Sequence, residues 1–183
     1  MKLVARDGRL TRERRRDVPV RTVRSVCGFC STGCALDVDV FQDERVKVTA
    51  ALVRHPPVVP AFGYRFDTAD RSIVISGDTA PSDEVIALAR GADVLVHDAM
   101  FPAGVDRLIA NVPNAATLKR SILSHHTSAE DAGRVAQAAG VKTLVLSHLV
   151  PPDDPAITDD MWLASARTHF HGTVIVGKDL LEI

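Results

Sequence analysis

A chain of 183 residues has room for one domain with a real core and little more. With 46% apolar and 25% charged residues it has the composition of an ordinary globular domain, and no run of about 18 apolar residues exists, which excludes a membrane-spanning helix. The formal net charge of −1 excludes a strongly basic body, and no apolar stretch follows the basic N-terminus as a secretory signal requires, so the expected location is the cytoplasm.

The net charge hides an asymmetry. Residues 1–26 carry nine Lys/Arg against three Asp/Glu, while residues 27–183 carry 13 against 20. Such a split suggests two pieces of different origin or different partners. The first 26 residues lack a clear period and read as a solvated basic arm, although Arg12-Glu13-Arg14-Arg15-Arg16 could touch nucleic acid. All three cysteines follow, at Cys27, Cys30 and Cys34. Clustered in a cytosolic chain, they point to metal or redox chemistry rather than disulfides. Leu36, Val38 and Val40 then alternate with Asp37 and Asp39 as a short strand.

From Val46 the pattern is regular. Val46 to Val53 reads as a strand stopped by Arg54-His55-Pro56-Pro57. Phe62 to Phe66 and Arg71 to Ile75 read as two more, the latter ending in Ser76-Gly77-Asp78-Thr79. Pro81 to Arg90 is a predicted helix, with Asp83 and Glu84 favouring its N-terminal dipole and Gly91 suited to the αL position past its end. Val94-Leu95-Val96 is a buried strand running into His97-Asp98, and residues 101–112 are predicted helical. Thr127-Ser128-Ala129-Glu130 resembles a capping box. The helix after it places Ala132, Val135, Ala136 and Ala139 on one face and stops at Gly140. Thr143 to Leu146 is a strand leading to Ser147-His148. Residues 159–170 form a helix and Thr173 to Val176 a last strand. Strands alternating with helices predict an α/β or α+β class, with helices laid over a sheet.

Metal-capable side chains recur just past strand ends: His55, Asp78, His97-Asp98, His125-His126 and His148. Loops at strand ends are where layered folds gather their sites, and three histidines with an aspartate form a donor set that zinc uses. His169 and His171 share an HxH spacing but flank a helix end, and read as surface residues.

Arg54-His55-Pro56-Pro57 with Phe62-Gly63-Tyr64-Arg65-Phe66, then Ser76-Gly77-Asp78-Thr79, Ala92-Asp93-Val94-Leu95-Val96-His97-Asp98-Ala99, His126-Thr127-Ser128 and Leu144-Val145-Leu146-Ser147-His148 together resemble an ordered motif series. It is that of the ribonuclease Z-like and arylsulfatase-like metallo-β-lactamase-fold hydrolases. The resemblance covers residues 41–183 and implies an α+β fold of αββα type, of which this chain would hold the C-terminal half: a β-sandwich with flanking helices. It implies His55 and His148 as metal ligands and Asp78 as the carboxylate shared by two ions, zinc or manganese. It further implies His126 as the acid for the leaving group, with Asp98 orienting it; His97-Asp98-Ala99-Met100 stands where the family writes His-Glu-Ala-Thr.

The family's His-x-His-x-Asp-His motif is absent. Each ion would keep two protein ligands where an open zinc site uses three, so the two-ion site is incomplete and hydrolysis by this chain should be impaired. In the motif's place, the C-x2-C-x3-C spacing of Cys27, Cys30 and Cys34 resembles the [4Fe-4S]-binding N-terminus of molybdopterin oxidoreductases, without that family's fourth cysteine. The expected organisation is a basic arm with the cysteine segment over residues 1–40 and a partial hydrolase domain over 41–183. The expected function is hydrolysis of a phosphodiester or similar ester. The alternatives are an iron–sulfur fragment or a non-catalytic fusion or truncation remnant. With no long insertion between His55 and Asp78 and an acidic body, the expected partner is a small-molecule ester rather than nucleic acid, with no membrane and a possible homo-oligomer.

Overall fold

The computed structural model describes residues 46–152 and 154–183, together with the backbone of four short strands that precede them. The cysteine trio Cys27, Cys30 and Cys34 lies outside the described residues. The chain divides into two compact units, one of residues 1–27 and 33–45, the other of 28–32 and 46–183.

In the first unit, β1 (Leu3–Arg6) pairs antiparallel with β2 (Arg9–Arg12), and β3 (Arg21–Val26) with β4 (Ala35–Val40). The strand read at residues 36–40 is there. Three of these strands fall within residues 1–26, where the sequence showed no clear period.

The second unit is built on a six-stranded sheet ordered β10-β9-β8-β7-β6-β5. Its strands are β5 (Lys47–Val53), β6 (Ala61–Asp67), β7 (Ser72–Ile75), β8 (Val94–Met100), β9 (Thr143–Val150) and β10 (Thr173–Val176). β5, β6 and β7 pair antiparallel through short connections. β7, β8, β9 and β10 run parallel, and each crossover carries a helix, as parallel neighbours require. With five helices beside this mixed sheet, the fold is α+β.

Three helices, α1 (Asp83–Ala89), α4 (Ala129–Ala139) and α5 (Asp159–Arg167), pack on the sheet and side by side. Val74, Leu95, Leu144 and Val174 stand in register across four parallel strands and are all buried. α4 meets them with Ala132, Val135, Ala136 and Ala139, the stripe its 3.6-residue period predicts. These side chains are small, so α5 can come close: a Cβ on Gly133 would lie 2.2 Å from the Ala166 carbonyl oxygen. The cap of α4 falls one residue later than the sequence suggested. Ser128, not Thr127, accepts the N–H of Asp131, at 3.0 Å. Gly140 closes the helix at φ +68°, the conformation that favours glycine.

A helical pair stands apart from this core. α2 (Pro102–Ile109) buries Val105 and Ile109 against Met100, while α3 (Ala115–His125), absent from the sequence reading, buries no side chain fully. Without an apolar stripe it left no periodic signal.

Candidate active site

The C-terminal ends of β7, β8 and β9 fall on one edge of the sheet, the edge where parallel sheets present their loops. β7 delivers Asp78 through Gly77, which sits at φ +64°. β8 ends in His97-Asp98-Ala99-Met100. The connection from β5 to β6 supplies His55, and the end of α3 supplies His125 and His126.

His148 arrives by a different device. Asp98 pairs with Ser147 and Ala99 with Leu149, so His148 is the extra residue of a β-bulge. It takes φ +46°, unusual for a side-chain-bearing residue. The bulge turns the imidazole out of the ladder and toward the site, a common use of bulges.

Asp78, His55, His126 and His148 converge. Asp78 Oδ2 lies 3.8 Å from His55 Nε2 and 3.7 Å from His148 Nε2. The His126 ring centroid is 5.4 Å from that of His55 and 5.3 Å from that of His148. His125 joins them, 5.5 Å from His55, with Nδ1 3.2 Å from Ser121 Oγ. Burial, then the neighbouring His55 and His126, hold His125 below the ordinary histidine range.

Asp98 is buried and faces two imidazoles. His126 Nδ1 lies 3.1 Å from Asp98 Oδ2, and His97 Nδ1 lies 3.0 Å from Oδ1. Burial alone would raise the Asp98 carboxyl; the hydrogen bond from His126, then the adjacent His97 N–H, outweighs it and holds the group below its ordinary range. The carboxylate is therefore an acceptor, and His126 donates to it through Nδ1.

Buried hydroxyls tie the loops together. The Arg54 N–H donates to Thr79 Oγ1 at 3.1 Å, and the Ala80 N–H returns to the Arg54 carbonyl at 2.7 Å, joining the His55 and Asp78 loops. Thr127 Oγ1 donates to the Thr79 carbonyl at 2.6 Å, adding the His126 loop. Ser76 Oγ accepts the Asp98 N–H at 3.2 Å. Thr79, Thr127 and Ser76 are all completely enclosed. The sequence reading passed over these three, because their partners lie 22 to 48 residues away in the chain.

The donor types suit zinc. Separations of 3.7 and 3.8 Å are too long for hydrogen bonds but within the roughly 4 Å that two zinc bonds of about 2 Å can span. Yet among the described residues no group of three or more His, Cys, Asp or Glu side chains is arranged to hold an ion. The described residues therefore do not form a complete metal site. His169 is half exposed and pairs with Glu130 at 3.0 Å, away from these loops.

The family model described as "Beta-lactamase superfamily domain" matches residues 4–149. Ribonuclease Z of Mycobacterium tuberculosis is 36% identical over 138 residues, 75% of this chain and 48% of that protein. Ribonuclease Z of a Mycobacterium species, strain KMS, is 39% identical over 143 residues, 78% of this chain and 48% of that protein. The chain thus spans about half the length of the curated relatives it matches. The crystal structure of the metallo-beta-lactamase fold protein YhfI from Bacillus subtilis shares the fold, with a TM-score of 0.54 at 24% identity over 76% of this chain and 52% of that one.

These relatives overturn one expectation. A small-molecule ester was expected in preference to nucleic acid, but the relatives are named for action on RNA. Net charge summed over the body was a poor guide, because recognition of a nucleic acid depends on local charge. The matched span also includes Cys27, Cys30 and Cys34, and nothing in these likenesses supports an iron–sulfur cluster there. Among the described residues no helix is long and apolar enough to cross a membrane. With its family match over most of its length, the chain belongs to the beta-lactamase superfamily and has the metallo-β-lactamase fold.

Proposed function

We propose that this chain carries the C-terminal half of a metal-dependent RNA phosphodiesterase centre of the ribonuclease Z kind. The observation that carries the reading is the His126–Asp98 pair at 3.1 Å, set beside Asp78 and its two imidazoles. The ribonuclease Z relatives give it a substrate class, a phosphodiester of RNA.

In this reading His126 is the general acid. Its Nε2 gives a proton to the oxygen that leaves when the phosphodiester breaks. Asp98 stabilises the cationic ring before transfer and fixes which nitrogen faces the substrate. His55, Asp78 and His148 are the ligands assigned to zinc, or manganese in its place. With only these three side chains to hold it, metal should be bound weakly by this chain alone.

The test joins metal content to cleavage. Purified protein should carry less than one tightly held zinc per chain and should slowly cleave bis(p-nitrophenyl) phosphate and a precursor tRNA once zinc or manganese is added. His126→Ala should lower that rate about a hundredfold, the usual scale of a lost general acid. Cleavage unaffected by Asp78→Ala and His148→Ala would refute the assignment.

A further inference from the structure

We infer that His97 is a positioning residue: a neutral ring protonated on Nδ1 that holds the Asp98 carboxylate so that its other oxygen faces His126. This rests on the general-acid reading of His126.

His97 is difficult to explain as a core residue. Side chains alternate along β8, so His97 shares the helix-facing side with Leu95, and it lies in register with Leu146. Leu95, His97 and Leu146 are each fully enclosed. A third aliphatic side chain would fill that position without burying a polar ring. The ring is not in reach of solvent, so it acts through a neighbour rather than on a substrate.

Its protonation can be read from its partners. His97 Nδ1 is 2.9 Å from the Asp98 carbonyl oxygen and 3.0 Å from Asp98 Oδ1. Both are acceptors, so Nδ1 carries the hydrogen. That N–H is directed at the carbonyl. Oδ1 lies beside it, off the bond axis, and no other donor among the described residues reaches it. Nε2 is buried and has no hydrogen-bond partner among the described residues. An imidazolium would leave an N–H⁺ stranded there; a neutral ring leaves only a lone pair, the cheaper state.

Asp98 thus stands between two N–H groups, His97 on the Oδ1 side and His126 on the Oδ2 side. The Thr127 N–H adds a long 3.4 Å contact to Oδ2. With His97 gone, Oδ1 would be a buried anionic oxygen with no N–H beside it among the described residues. The carboxylate would then rotate or take up a proton, and His126 would lose the acceptor that selects its Nδ1–H form.

Histidine side-chain nitrogens in the metal-free full chain, read at neutral pH by long-range ¹H–¹⁵N NMR, test this directly. Wild-type protein should show His97 with Nδ1 protonated and Nε2 bare, and His126 with a proton held on Nδ1. His97→Leu should lose the fixed His126 signal, leaving a mixture of tautomers. His97→Asn keeps a short N–H donor toward the same oxygens and should restore it. A His97 found as Nε2–H or doubly protonated overturns the inference without any variant. So does a His126 tautomer unchanged in a His97→Leu protein that still unfolds cooperatively. If the chain cleaves no phosphodiester, the hydrolase reading fails while the tautomers still decide this one.

Discussion

Thr79→Val tests whether buried hydroxyls hold the site loops together. Thr79 is completely enclosed, and valine matches its shape, so packing changes little. What is lost is chemical: the hydroxyl donates to the Ala80 carbonyl at 2.7 Å and accepts the Arg54 N–H at 3.1 Å. A lost hydrogen bond costs about 1 kcal/mol, and an amide left without a partner costs about 1–3 kcal/mol when buried. The Arg54 amide is only partly buried and the new methyl gains some apolar burial, so a net loss of about 2 kcal/mol is expected. With a urea slope of about 2 kcal/mol per molar, the unfolding midpoint should fall by about 1 M. Thr79→Ser keeps the hydroxyl and should lose about half as much, from its missing methyl. A Thr79→Val midpoint within about 0.2 M of wild type, an error typical of such curves, would refute the claim that this hydroxyl ties the His55 loop to the Asp78 loop.

Other expectations follow from packing and charge. Gly133→Ala would gain about 1 kcal/mol of helix propensity. Its Cβ would meet the Ala166 backbone oxygen at 2.2 Å, so forced separation of α4 and α5 should dominate and leave the protein about 2 kcal/mol less stable by urea unfolding. A variant as stable as wild type would show that the two helices yield easily. Acid should weaken the fold in a definite window. The Lys142 ammonium, then bonds from Ser72, hold Asp93 down to about 2, and Asp98 is also held low. The unfolded chain then binds more protons as pH falls, so the stability these groups give is complete above about pH 4 and drains away toward about pH 2. Asp93→Asn should shrink the difference between urea midpoints at pH 7 and pH 3; an unchanged difference would remove Asp93 from the account.

Much of the second unit could be read from sequence because its signals are local. β10 runs over the residues its pattern indicated, and the buried face of α4 is the one its alanines and valine mark. β8 and β9 extend past their apolar runs into His97-Asp98 and Ser147-His148, because ladder pairing carries polar residues along with it. The convergence of His55, Asp78, His126 and His148 came from a motif series, and no spacing along the chain measures it. α3 was missed since it packs few apolar side chains, and the hydroxyl network since hydroxyl-to-backbone bonds across 25 or more residues leave no period.

The bulge at His148 has a meaning for how such a site can be lost. One of the two imidazoles on Asp78 is aimed by a surplus residue in a strand, held at a backbone angle that strands otherwise avoid. Strand regularity and site geometry therefore compete for the same peptide unit. Removing that one residue would let β8 and β9 zip together without interruption, and the sheet would be the sounder for it. A sheet shaped by strand pairing alone would have no use for that residue, so the irregularity serves the aim of the imidazole rather than the ladder.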